Sequence, residues 1–145
     1  MKTVYTGGTF DLFHPGHVNL LAQCKKIGDR VVVALNTDEF VARYKKQVPI
    51  WNFQQREIVL RACRYVDDVI PNVDGEDSKP TILSVRPDFI VIGSDWATKD
   101  YYAQMNFTQT WLDDNNITLL YVPYTQGVSS TLLRQYFQEE NYVRK

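Results

Sequence analysis

Two short segments of the chain are apolar at every position and rich in β-branched residues. They are residues 31–35 (VVVAL) and 89–92 (FIVI). A strand with one face in water alternates apolar and polar residues, whereas a strand of a parallel sheet is covered by helices on both faces. The two segments are therefore predicted to be inner strands of a parallel sheet, which requires helical crossovers between strands.

Helical patterns lie between the predicted strands. Apolar residues recur at helical spacing between residues 18 and 27, and Gly28 is expected to end that helix. Further strands are predicted at residues 2–5, 66–71 and 118–122, and further helices at residues 38–41, from Asn52 through Cys63, at 80–85, at 108–115 and from Ser129 onward. This alternation predicts one Rossmann-like α/β domain, residues 1–145, with a doubly wound, five-stranded parallel sheet and helices on both faces.

Composition excludes several classes of protein. A net charge of −1 over 145 residues gives no basic excess, so no nucleic-acid partner is predicted. Cys24 and Cys63 have the spacing of neither a zinc site nor a disulfide framework. No apolar run approaches the roughly 18 residues that span a membrane, and the first residues enter a strand with no signal peptide. A cytoplasmic protein with no membrane partner is expected.

The densest group of reactive side chains follows the first predicted strand, at residues 7–17 (GGTFDLFHPGH). The first strand-to-helix turn is where an α/β sheet usually binds its ligand. Gly7 and Gly8 allow the backbone to approach a ligand closely, and the free N–H groups at a helix N-terminus favour an anion. The stretch therefore predicts a phosphate-binding site.

Both histidines of the chain, His14 and His17, lie in this stretch, three residues apart. Two imidazoles at that spacing can reach one polyphosphate and stabilise the transition state of a phosphoryl or nucleotidyl transfer, and Thr9 adds a hydroxyl. A bound phosphate favours protonated histidine and a helix N-terminus opposes it, so the residues alone leave the charge open. The glycine fingerprint of dinucleotide-binding proteins and the G-K-[ST] ending of a Walker A loop are both missing.

Residues 8–17 (GTFDLFHPGH) resemble the H-x-G-H motif of the nucleotidyltransferase superfamily that includes the cytidylyltransferases. Other segments resemble further family motifs in the same order along the chain: residues 36–40 (NTDEF), 55–57 (QRE), 64–67 (RYVD), 93–96 (GSDW) and 125–131 (TQGVSST). The resemblance is strongest to the glycerol-3-phosphate cytidylyltransferases. It implies transfer of CMP from CTP to a phosphorylated small alcohol, with Mg²⁺ on the CTP phosphates, no metal ligand from the protein, and a homodimer.

The same resemblance assigns roles to particular residues. The implied catalytic residues are His14, His17, Lys46, Ser130 and Thr131. The implied nucleotide-binding residues are Gly8, Thr9, Phe10, Asp11, Gly16, Arg64, Gly93, Asp95, Trp96, Thr125, Gly127 and Ser129. The implied substrate-binding residues are Lys45, Arg56, Asp67 and Tyr124, and which of Lys45 and Lys46 enters the site stays open.

The chain departs from the family pattern where substrate is bound. Tyr124 stands where the family commonly has an arginine, Gln126 replaces a glutamate, and residues 72–78 lack the tryptophan expected near the acceptor. A tyrosine offers one neutral hydroxyl where an arginine makes a bidentate phosphate contact, and Arg134 is a candidate to replace that charge. Phosphoethanolamine, phosphocholine and sugar phosphates therefore remain alternatives to glycerol 3-phosphate. ATP remains an alternative to CTP, and a nucleotide-binding protein with little catalysis is the rival from another class.

Overall fold

The computed structural model describes residues 1–73 and 75–138. Its sheet contains β1 (Thr3–Gly8), β2 (Arg30–Asn36), β3 (Asp68–Asn72), β4 (Phe89–Gly93) and β5 (Thr118–Val122). The strands lie in the order β3-β2-β1-β4-β5, and every neighbouring pair is parallel. These residues form one α/β domain, which confirms the predicted Rossmann-like fold.

Seven helices connect and cover the strands within the described ranges. They are α1 (Pro15–Ile27), α2 (Asp38–Lys45), α3 (Phe53–Ala62), α4 (Lys79–Val85), α5 (Tyr101–Met105), α6 (Gln109–Asp114) and α7 (Ser130–Gln138), with a 3₁₀ segment at Ser94–Thr98. None of the helices described is long and apolar enough to cross a membrane.

The ends of several helices follow from local sequence. Asn52 accepts a hydrogen bond from the Gln55 amide at 2.9 Å, and the Gln55 side chain accepts one from the Asn52 amide at 2.9 Å, which is a capping box. Thr37 caps α2 by accepting from the Phe40 amide at 3.2 Å. Thr37 rather than Asn36 takes this role because Asn36 still belongs to β2.

Two strands differ from their predicted bounds. β1 continues to Gly8, beyond the predicted residues 2–5, because its last residues remain paired with Ala34 and Leu35 of β2. β3 begins at Asp68 and ends at Asn72, two residues and one residue later than the bounds predicted from its apolar residues. As a result, β1 ends at Gly8 and β3 ends at Asn72, both at the carboxyl edge of the sheet.

Each face of the sheet carries its own apolar core. Val31, Val33 and Leu35 of β2 belong to one cluster, and Ala34 belongs to the other. The chain winds from β1 outward through β2 to β3, then crosses to β4 on the other side of β1. A sheet of this kind opens a crevice at the carboxyl ends of the strands where the winding reverses, here between β1 and β4.

Candidate functional site

A cavity of about 480 Å³ lies at the carboxyl ends of the strands. It is bordered by the turns that follow β1 and β4, the end of α2 and the start of α7. Most of the residues predicted for the site line it: Gly8, Thr9, Phe10, Asp11, His14, Gly16, His17, Lys45, Gly93, Asp95, Trp96, Tyr124, Thr125, Ser129, Ser130 and Thr131. Segments far apart in the sequence are thus brought to one crevice.

The two histidines are held in a stacked pair at the start of α1. The Nδ1 atom of His14, the N-cap residue, accepts from the Gly16 amide at 3.0 Å, and Nδ1 of His17 accepts from the His14 amide at 3.2 Å. The ring centroids are 3.8 Å apart. Because Nδ1 is the acceptor in each neutral ring, Nε2 carries the proton. The pair therefore offers two Nε2–H donors to the cavity.

Both rings are neutral at physiological pH. Burial lowers the pKa of His14. Burial, with smaller contributions from the charges of His14 and Lys45, lowers the pKa of His17 to about 3. Burial and the helix N-terminus thus both favour the neutral form of the two rings.

The depressed pKa of His17 predicts how stability depends on pH. Its folded-state pKa of about 3 lies below the ordinary value of 6.5, so the unfolded chain binds the proton more readily. The neutral ring therefore stabilises the fold fully above about pH 6.5, and that contribution is lost progressively as the pH falls toward 3. Urea unfolding between pH 7 and pH 4 should show a smaller loss for His17→Gln than for the wild type. Equal losses would contradict the prediction.

The loop between β1 and α1 adopts an unusual backbone. Phe10 and Leu12 have φ values of 52° and 53°, in the left-handed region that non-glycine residues rarely occupy. Such strain persists only where the surroundings enforce it. The two left-handed residues flank Asp11, whose side chain is only 3% exposed, so the contacts of this buried carboxylate hold the strained backbone in place.

Asp11 ties together three segments of the cavity wall. Its carboxylate accepts from the amides of Ile50 at 2.7 Å and Trp51 at 3.0 Å, from its neighbour Leu12 at 3.1 Å, and from Nη2 of Arg134 at 2.5 Å. The carboxylate is therefore engaged by the protein. Arg134, considered as a substitute for the missing family arginine, does line the cavity but is paired with this buried charge.

The two candidate lysines are adjacent, but only one of them lines the cavity. Lys45 is the last residue of α2 and lines the cavity. Lys46 caps the helix with a left-handed φ of 56° and is not part of the cavity wall. Desolvation and the positive charge of Arg134 lower the pKa of Lys45. The Lys45 ammonium is therefore partly withdrawn from water and close to another charged group of the site.

Arg56 does not line the cavity, in contrast to the predicted substrate contact. Its side chain is completely buried and all three nitrogens donate to protein oxygens. Nη1 donates to the carbonyls of Thr9 at 2.8 Å and Asn36 at 2.9 Å, Nε to that of Trp51 at 3.0 Å, and Nη2 to the Asp38 carboxylate at 2.6 Å. The geometry supports a positioning role behind the wall instead.

Arg64 and Asp67 lie at the other edge of the sheet. Both precede β3, so they are at its amino end, whereas the cavity lies at the carboxyl ends. The Asp67 carboxylate accepts from Lys25 Nζ and from the Val31 amide, each at 2.7 Å. Gly127 is also outside the cavity wall, with a φ of 83° in the turn before α7. The structure therefore does not bring these three residues to the crevice within one copy of the chain.

The N-terminus of α7 faces the cavity opposite the histidines. Ser129 caps the helix by accepting from the Leu132 amide at 3.0 Å, and the Ser130 hydroxyl donates to the Asp11 carbonyl. Ser129, Ser130 and Thr131 all border the cavity. Together with α1, this arrangement presents two helix N-termini to one space, which suits a polyanion.

Some cavity residues were missed by the sequence interpretation. Asn36 ends β2 and Asn72 ends β3, and both line the cavity. Their signal was present, since a polar residue closing a buried parallel strand lies at the ligand-binding edge. Tyr5 and Tyr101 also line it, and neither carries a local signal that separates it from a core residue.

The parts of the chain that the structure describes contain no cluster of three or more histidine, cysteine or acidic side chains able to hold a metal ion. Asp11 is engaged by four protein donors, so Asp95 is the carboxylate of the cavity wall that remains for such a contact. This donor set fits Mg²⁺ carried mainly by phosphate oxygens and water, which is how magnesium is usually bound with nucleotides.

Comparison with known proteins agrees with this geometry. The sequence model of the cytidylyltransferase-like family matches residues 5–136. The glycerol-3-phosphate cytidylyltransferase of Bacillus subtilis is 36% identical over 135 residues, which cover 93% of this chain and 96% of that protein. The FAD synthase of Pyrococcus abyssi is 42% identical over 92 residues, 63% of this chain and 62% of that protein.

A solved structure shares the fold closely. The lipopolysaccharide core biosynthesis protein from Thermoplasma volcanium superposes with a TM-score of 0.70 at 29% identity, covering 88% of this chain and 99% of that one. The family match extends over nearly the whole chain and includes every segment that reaches the cavity. The chain therefore belongs to the cytidylyltransferase-like family and is a nucleotidyltransferase.

Proposed function

We propose that this enzyme transfers CMP from CTP to glycerol 3-phosphate, which forms CDP-glycerol and releases pyrophosphate. The observation that carries the proposal is the stacked pair of neutral histidines, whose Nε2–H groups share one cavity with the N-terminus of α7. The identity and coverage of the glycerol-3-phosphate cytidylyltransferase from Bacillus subtilis support the choice of substrates.

The proposed reaction is an in-line displacement at the α-phosphorus of CTP. A phosphate oxygen of the acceptor forms the new P–O bond, the bond to the β-phosphate bridging oxygen breaks, and pyrophosphate leaves with that electron pair. The attacking oxygen is already ionised at neutral pH, so no general base is required. The protein contributes positioning and the stabilisation of negative charge that accumulates on the phosphates.

Each donor has a place in this scheme. His14 and His17 donate from Nε2 to the phosphates of the nucleotide, and Lys45 adds a positive charge from the end of α2. The amides at the start of α7 bind the leaving phosphates. Mg²⁺ bound to the triphosphate would supply further charge neutralisation. The homodimer expected from the family stays a prediction.

The nucleotide base is assigned to the turn after β4. Asp95 and Trp96 line the cavity there, and Lys99 Nζ lies 5.1 Å from the centre of the Trp96 ring. On the other side of the turn, the Tyr124 amide donates to Ser94 Oγ at 3.0 Å, which holds the segment after β5 against it. An aromatic face and a carboxylate acceptor suit a pyrimidine that carries an exocyclic amino group.

A pyrophosphate-release panel tests the proposal. CTP and ATP are each crossed with glycerol 3-phosphate, phosphocholine, phosphoethanolamine and sugar phosphates. The highest kcat/KM is expected for CTP with glycerol 3-phosphate. Faster turnover with ATP or with another acceptor would replace the substrate assignment. Tight CTP binding with no pyrophosphate released from any pair would favour a nucleotide-binding protein with little catalysis.

The two adjacent lysines provide a matched test of the cavity geometry. Lys45→Ala should lower kcat/KM for CTP by about 10- to 100-fold, since a charge-assisted contact to phosphate is removed. Lys46→Ala should change it less than about threefold, because Lys46 does not line the cavity. Steady-state kinetics at saturating acceptor measure both. A larger effect at Lys46 would show that the loop rearranges when nucleotide binds.

A further inference from the structure

The cavity extends beyond the phosphate site, and this further part is bordered by the ends of β2 and β3, by β1 and by α5. Tyr5, Asn36, Asn72 and Tyr101 line this part of it, and we refer to these four residues as the cavity floor. None of them is used by the proposed phosphate chemistry. All four are uncharged, in contrast to the histidines, lysine and arginine around the phosphates.

The two tyrosines of the floor have hydroxyl groups without a partner. Tyr5 is 0% exposed and Tyr101 is 2% exposed, and neither Oη has a hydrogen-bond partner among the described residues. A buried polar group without a partner is costly and rare in native proteins, so each such group calls for an explanation. Burial raises the pKa of both phenols, so they stay neutral and can both donate and accept.

The two asparagines of the floor are held in place but not saturated. Asn72 Nδ2 donates to Asn36 Oδ1 at 3.0 Å, and Asn36 Nδ2 donates to Thr9 Oγ1 at 3.1 Å. Each amide nitrogen carries two hydrogens, and one of them is used. Both residues are 7% exposed, so the remaining N–H groups are fixed in orientation and nearly dry.

Gly7 borders the cavity beside the Tyr5 ring. A Cβ atom at this position would lie 3.7 Å from Tyr5 Oη and 3.5 Å from Cε1 of the same ring. These are ordinary van der Waals distances, so alanine fits, but a longer side chain would extend across the hydroxyl. The absence of a side chain therefore leaves room for a ligand group beside Tyr5.

On the basis of the proposed function, we propose that the cavity floor recognises hydroxyl groups of the acceptor, whose body is an uncharged polyol. A polyol supplies partners for the two unpaired phenols and the two spare amide N–H groups. An ammonium group buried there would find no carboxylate on the floor to balance its charge. Glycerol 3-phosphate and sugar phosphates share the required chemistry, whereas phosphocholine and phosphoethanolamine lack it.

The test uses Tyr5→Phe and Tyr101→Phe in the full chain, with Tyr102→Phe as the matched control. Tyr102 neighbours Tyr101, but its hydroxyl donates to Gln109 at 2.8 Å outside this cavity. Each floor variant should raise KM for glycerol 3-phosphate about 3- to 10-fold and leave KM for CTP unchanged. The control should leave both values unchanged.

A second readout separates recognition from a structural role. Wild type should prefer glycerol 3-phosphate over propane-1,3-diol monophosphate, which lacks one hydroxyl, and at least one floor variant should lose that preference. Thermal unfolding should show unchanged or higher Tm in both variants, because an unpaired buried hydroxyl has been removed. Gly7→Leu, which fills the space beside the Tyr5 ring, should raise KM for the acceptor further than Tyr5→Phe.

The outcomes distinguish this inference from the proposed function. Turnover of CTP with polyol phosphates and unchanged acceptor KM in both floor variants would overturn the role of the floor alone. A preference for phosphocholine or phosphoethanolamine would overturn the assigned acceptor class while leaving nucleotidyl transfer intact. Absence of pyrophosphate release with every acceptor would contradict the proposed function itself.

Discussion

Replacement of His14 or His17 by alanine is expected to lower kcat for CMP transfer by about 10²- to 10³-fold each. Both Nδ1 atoms accept hydrogen bonds from backbone amides, so each ring presents an oriented Nε2–H to the phosphates. Removal of one such preorganised donor from a transition state typically has an effect of this size. Pyrophosphate release at saturating CTP and acceptor measures it.

Two controls accompany the histidine variants. His14→Ala also removes a helix cap, which costs about 1 kcal/mol of stability, so circular dichroism should show a folded protein with a modestly lower Tm. His17→Gln retains an N–H donor at similar reach and should recover part of the lost rate. Because the rings stack and the His17 ring accepts a hydrogen bond from the His14 backbone amide, the double variant should lose less than the product of the single effects. Near-normal pyrophosphate release in both alanine variants would refute the histidine mechanism.

Replacement of Arg56 by methionine is expected to destabilise the fold by about 3–5 kcal/mol. The guanidinium is completely buried, and its loss would leave the carbonyls of Thr9 and Asn36 and one carboxylate oxygen of Asp38 without their donor. Each buried acceptor left without its donor costs roughly 1–3 kcal/mol, so the loss at the two carbonyls gives a total of this order. Urea unfolding, followed by circular dichroism, measures the free energy of unfolding.

Arg61 on the same helix provides the matched control for Arg56. Its side chain is 48% exposed, and besides Glu57 at 3.0 Å it contacts Asp68 at 3.4 Å and the Val69 carbonyl at 2.9 Å. Water can replace these partly exposed contacts, so Arg61→Met should cost only about 1–2 kcal/mol. Arg56→Lys should fall between the two, because an ammonium keeps the charge but cannot reach oxygens in several loops from one fork. Equal destabilisation by Arg56→Met and Arg61→Met would show that the buried contacts do not hold the cavity wall together.

The resemblance in sequence led directly to the family, and the comparison with known proteins confirms it. The local patterns also held. Residues 31–35 and 89–92 lie within β2 and β4, and the helix predicted to begin at Asn52 has Asn52 as its N-cap. These predictions succeeded because strand burial and helix capping depend on residues within a few positions of one another.

The local sequence did not predict which of the candidate basic residues line the cavity. Lys45 and Lys46 are adjacent and alike in the sequence, but α2 ends at Lys45 and Lys46 has a left-handed φ, and only Lys45 lines the cavity. The motif predicts that Arg56 contacts substrate, but its guanidinium is buried and donates to the carbonyls of Thr9, just after β1, and Asn36, at the end of β2. The partners of Arg56 are distant in the chain, and the position of the cavity relative to the lysines is set by the other segments that line it.

The sequence by itself determined the alternation of strands and helices, the paired histidines at the first turn and the class of reaction. Only the tertiary structure decided that the histidines are neutral donors, that Lys45 is the lysine on the cavity wall, and that Tyr5 and Tyr101 leave unpaired hydroxyls beside the phosphate site. Charge state and unpaired polar groups depend on burial, and burial is produced by packing between segments that the sequence keeps far apart.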